Sequence, residues 1–69
     1  MTPAQFESLA QLLRLRPGFT LDAVRLHMTQ GLPVPDAARA AGADYQLTLK
    51  AVHRARAGLA LARRVCGVA

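Results

Sequence analysis

The sequence predicts an all-α fold, a compact bundle of four or five short helices containing a helix-turn-helix. Three observations carry that expectation. Fourteen alanines and eleven leucines in a chain of 69 residues are strong helix formers. Aromatic residues make up only 4%, and the β-branched residues that strands favour are few. Prolines and glycines fall between apolar periodic segments, where helices start and stop. The length allows a single domain over residues 1–69. A chain this short buries only ~60% of its unfolded surface, so a partner subunit would help its core.

The first helix is expected over about 3–15. Thr2 suits the N-cap, Pro3 the first helical position, and Gln5 completes a capping box. Phe6, Leu9, Ala10 and Leu13 then recur on one face, and Pro17-Gly18 supplies the stop. Arg14 and Arg16 sit near the end, where positive charge suits the helix dipole. A second helix is expected over about 21–30, capped by Thr20, with Asp22 in its first turn and Gly31 closing it. Leu21, Val24 and Met28 form its apolar face.

A short extended connector, Leu32-Pro33-Val34, leads to a third helix over about 35–41 that Gly42 ends. Asp44 is placed to cap a fourth and longer helix over about 45–65. On a helical wheel Leu47, Thr48, Ala51, Val52, Ala55, Leu59 and Ala62 gather on one side. The other side holds Gln46, Leu49, Lys50, His53 and Arg56, with Arg54 on the border.

The formal charge of +5 is unevenly spread. Up to Asp44, four arginines balance four acids; from Tyr45 onward there are five basic residues and no acid. That asymmetry points to a polyanionic partner, nucleic acid before an anionic membrane surface. An amphipathic membrane-surface helix fits less well, because an alanine-rich face would bury little area in lipid. No apolar run approaches the ~20 residues of a membrane span, so no membrane partner is expected. A single cysteine excludes a disulfide framework within the chain, and a cytoplasmic protein is the expectation. No nucleophile–base arrangement, phosphate-binding glycine loop or metal-ligand spacing is present; His27, His53 and Cys66 are not spaced as ligands. The expectation is therefore no enzyme, no cofactor, no metal and no evident small-molecule ligand.

The segment from Val34 to about Arg56 has the proportions of a helix-turn-helix. Ala38 supplies the small residue where two helices cross, and Gly42, four positions on, tolerates positive φ in the turn. Leu47, Ala51 and Val52 fill the inner face of the second helix, while Thr48 stands where an aliphatic residue is usual. Over roughly Met1 to Ala60 the chain resembles the plasmid KorA/TrfB transcriptional repressors. The matching pieces are Thr2 with Gln5-Phe6, Gly31 with Pro33, Ala38 with Gly42, and the tetrapeptide Ala51-Val52-His53-Arg54. The resemblance implies a bacterial, plasmid- or nucleoid-associated repressor that binds a palindromic double-stranded operator as a homodimer.

Residue roles follow from place and chemistry. Gln46 and Lys50, one turn apart at the outward start of the fourth helix, are expected to meet base edges, glutamine pairing with adenine and lysine with guanine. His53 shares that face, and an outward Leu49 can meet a thymine methyl. Arg39, Arg54 and Arg56 are expected phosphate contacts, and Tyr45 either donates its hydroxyl to a phosphate or closes the turn by packing on the third helix. Leu59, Leu61, Val65 and Val68 exceed what a small monomer needs to cover and are the expected dimer contact. The alternative is a helical protein–protein interaction module that binds no DNA.

Overall fold

Caps written into the sequence close the helices in space. The structure, a computed structural model, describes residues 1–66. Its elements are α1 (Pro3–Leu12), α2 (Phe19–Gln30), α3 (Val34–Ala41) and α4 (Tyr45–Val65). Among the described residues there is no strand, and the helices pack into an all-α bundle with a Cα radius of gyration of 11.6 Å. Val68 lies outside the described residues.

The Thr2 hydroxyl accepts from Gln5 N at 3.1 Å, and the Gln5 side chain accepts from Thr2 N at 2.9 Å, the reciprocal capping box expected there. The Asp44 carboxylate accepts from Leu47 N at 2.9 Å and opens α4. Gly42 closes α3 at φ 70°, a left-handed conformation that glycine adopts without steric cost. Two reversed bonds finish that turn, Gly42 N to Arg39 O at 3.2 Å and Ala43 N to Ala38 O at 2.8 Å. Only Ala43 and Asp44 then separate Gly42 from α4, so the direction of α4 is set by this turn.

Three helix boundaries differ from the sequence expectation. Helix α1 ends at Leu12 rather than near 15. Arg14 takes φ 53°, and the same pair of reversed bonds forms: Arg14 N to Gln11 O at 3.1 Å and Leu15 N to Ala10 O at 3.0 Å. An arginine thus stands where glycine is the usual residue, at a cost of roughly 1 kcal/mol. Helix α2 starts at Phe19, with Gly18 at its N-cap and no side-chain cap; Thr20 lies inside the first turn instead of capping it. Helix α3 starts one residue early, so Pro35 occupies its second position, where a missing N–H costs nothing.

Helix α2 is the main hub, packing on α1, α3 and α4; α4 also packs on the other three, and α1 does not touch α3. The core joins Phe6, Leu9 and Ala10 of α1 to Val24 of α2 and to Val52 and Ala55 of α4. Leu13 and Met28, expected core residues, are half-buried and packed against it. Ala23 of α2 and Ala37 and Ala38 of α3 are buried as well, so small side chains line the close approach of these two helices. Outside the core, Arg25 of α2 bridges to Glu7 of α1 and to Asp22, each at 2.9 Å, and lies 5.5 Å above the Phe6 ring. The hydrogen bond with Glu7 raises the Arg25 pKa above its ordinary value. This exposed network contributes only about 1 kcal/mol.

The rotation of α4 corrects the expected inner face. Thr48, Val52 and Ala55 are its buried residues, with Leu59 packed beside them. That line places Leu47 about 100° away from Thr48, and Leu47 is 56% exposed. Thr48 fills the inward position with a short side chain. Its hydroxyl donates to Asp44 O at 2.8 Å, so no polar group is left unpaired there.

Candidate functional site

The face of α4 opposite Thr48, Val52 and Ala55 is open. Gln46, Lys50 and His53 are exposed along it, within the first three turns of the helix. Tyr45 is 42% exposed at the first position, and Arg39 of α3 is exposed on the preceding helix. Leu49 does not share that openness. It is half-buried on the flank of α4, about 100° from the inward Thr48.

Two arginines border this face on opposite flanks, and each is held by its own chain. Arg54 Nη2 donates to the Leu13 carbonyl at the end of α1, at 2.7 Å. Arg56 Nη2 donates to His27 Nε2 of α2, also at 2.7 Å. His27 Nδ1 lies 2.6 Å from the Leu32 carbonyl, so the neutral imidazole donates there while its other nitrogen accepts from Arg56. A guanidinium has five N–H donors, so one bond to the chain leaves the others free for an anion. Fixing the long side chain beforehand would lower the entropy lost on binding such a group. Both tethers run between residues far apart in sequence, 41 positions for Arg54 and 29 for Arg56, and nothing in the sequence pattern signals them.

The electrostatics are one-sided. Among the described residues only Arg25 is in an ion pair, and it engages Glu7 and Asp22. Asp44 is occupied as the α4 cap. The α4 face therefore presents cationic and amide groups with no carboxylate on the same helix.

The expected dimer residues separate into two sets. Leu61 and Val65 are 59% and 86% exposed and, with Leu12, Leu13 and Gly58, line an apolar groove between the end of α1 and the last turns of α4. Leu59 faces away from them, against the core and beside Met28. Gly58 lets the Leu13 side chain pack directly on α4, since a Cβ there would lie 2.5 Å from a Leu13 methyl. Leu12, 64% exposed, belongs to this surface and was not singled out in the sequence because α1 reads as continuing past it.

Two other arginines open onto a separate feature. Arg14 and Arg16, which the dipole explained in the sequence, line a cavity of about 270 Å³ together with Arg54. Among the described residues no group of three or more His, Cys, Asp or Glu could hold a metal ion. No described helix is long and apolar enough to cross a membrane. Compared with known proteins, the chain matches no family model, no curated protein and no solved structure.

Proposed function

We propose that this protein is a sequence-specific double-stranded DNA-binding transcriptional regulator, with α4 as the helix that enters the major groove. One observation carries the reading. The exposed face of α4 bears Gln46, Lys50 and His53, no acid follows Asp44, and the helix is flanked by the tethered Arg54 and Arg56. The preceding α3, the left-handed Gly42 and the buried Ala38 give α3 and α4 helix-turn-helix proportions.

In this reading Gln46 and Lys50 contact base edges, with His53 beside them, and Arg39, Tyr45, Arg54 and Arg56 contact phosphate. Leu49, half-buried, is the least available of the base contacts. The apolar groove at Leu12, Leu61 and Val65 pairs two copies, so that two α4 helices meet successive half-sites of a palindrome. The resemblance to the KorA/TrfB repressors adds repression and a plasmid setting in a bacterial cytoplasm. A protein–protein interaction module is the competing reading, and the same apolar groove favours it.

Selection from a random duplex library tests the proposal in one step. A palindromic consensus with half-sites about one helical turn apart is the expected result. Gln46→Ala and Lys50→Ala should relax preference at single base positions by about 1–3 kcal/mol each. Arg56→Ala should weaken all duplexes alike. If the protein ignores every duplex at low salt but still pairs with itself or another protein, the DNA reading fails and the interaction module stands.

A further inference from the structure

The cavity beside α4 differs in kind from the exposed DNA-facing surface. Three arginines line it: Arg14 and Arg16 from the connection between α1 and α2, and Arg54 from α4. The Thr20 hydroxyl-bearing side chain joins them, and no carboxylate lines the space. Its apolar floor is supplied by the half-buried Leu15, Leu21 and Ala51, with the fully buried Val24 beneath. At about 270 Å³ it is slightly smaller than the ~300 Å³ at which drug-sized pockets begin.

We infer that this cavity binds a small organic anion, a carboxylate or phosphate head on an apolar body. Three like charges around one cavity repel one another, and none of them is in an ion pair among the described residues. An anion at the rim removes that repulsion. Arg54 is already positioned by its bond to the Leu13 carbonyl, with its remaining N–H donors unspent. Arg14, one of the lining residues, is held at φ 53°, where glycine would close α1 with less strain. The apolar floor gives an organic body something to cover, which a bare inorganic anion lacks. The inference is independent of the DNA reading, although both use Arg54. Its test therefore contains no DNA, and either can fail alone.

The test is a titration of the full chain, followed by amide NMR shifts, with benzoate, phenyl phosphate, inorganic phosphate and chloride at constant ionic strength. Benzoate and phenyl phosphate should saturably shift the amides of Leu15, Thr20, Leu21 and Ala51. Inorganic phosphate should bind about tenfold more weakly than phenyl phosphate, for want of floor contact. Arg16→Gln should weaken phenyl phosphate about tenfold. Arg14→Gly is the sharper variant, because it should raise Tm by about 5 °C while weakening phenyl phosphate about tenfold. Equal shifts from chloride and benzoate would overturn the inference, as would equal affinity for inorganic and phenyl phosphate. An Arg14→Gly protein that binds phenyl phosphate unchanged would overturn it too.

Discussion

Raising salt from about 50 mM to about 200 mM should weaken binding to the selected duplex by about a thousandfold. The number follows from the proposed phosphate contacts. Arg39, Arg54 and Arg56 on each of two copies displace about six condensed counterions, which sets a log–log slope of about −5. Arg54 and Arg56 should deliver nearly their full share, since bonds to Leu13 O and His27 Nε2 hold them in place beforehand. Fluorescence anisotropy with a labelled duplex across a salt series measures the slope directly. A slope near half that size would mean that one copy binds alone, which removes the paired reading. A flat response would leave the exposed arginines of α4 as a solvated surface with no polyanion to meet.

Truncating Phe6 should unfold most of the protein. Phe6 is fully buried, the largest side chain in the core, and it belongs to the cluster that joins α1 to α2 and α4. A Phe→Ala change at such a site costs about 3–5 kcal/mol, from lost transfer energy and the cavity left behind. A domain of this length has only roughly 3–10 kcal/mol of stability in total. Phe6→Ala should therefore lose most of its helical circular dichroism at 37 °C, or show a urea midpoint near zero. Phe6→Leu keeps most of the volume and should cost less than about 2 kcal/mol. If Phe6→Ala melts like the parent protein, α1 contributes little to the fold and the hub role of α2 must rest on α3 and α4 alone.

The fold class was legible in the sequence because its signals are local. The capping box at Thr2 and Gln5, the Asp44 cap, and Gly31 and Gly42 as stops each act within one turn of chain, and each appears where expected. The end of α1 failed because a non-glycine residue does a glycine's work there. Nothing local to Arg14 announces a left-handed residue, so α1 reads three residues too long. Leu47 failed for a different reason. A wheel drawn from sequence gives the width of the apolar stripe but not its centre, and packing placed that centre on Thr48, Val52 and Ala55. The exposed line of Gln46, Lys50 and His53 survives that rotation because it lies opposite the stripe. The tethers of Arg54 and Arg56, and the meeting of Arg14 and Arg16 with Arg54, depend on residues distant in sequence and become visible only in three dimensions.

Helix α4 is unevenly supported along its length. Thr48, Val52 and Ala55 are buried among the other helices, whereas Leu61 and Val65 have solvent over most of their surface. The helix thus carries two tiers of protection in one continuous rod. Backbone amides near Val52 can exchange with solvent only when the whole domain opens, while those near Val65 exchange through fraying of the last turns. In the proposed pairing of two copies, covering the apolar groove would close that second route by mass action, and the gap between the tiers would narrow as protein concentration rises. The far end of the helix thereby reports on the company the molecule keeps, and its middle on the integrity of the single copy.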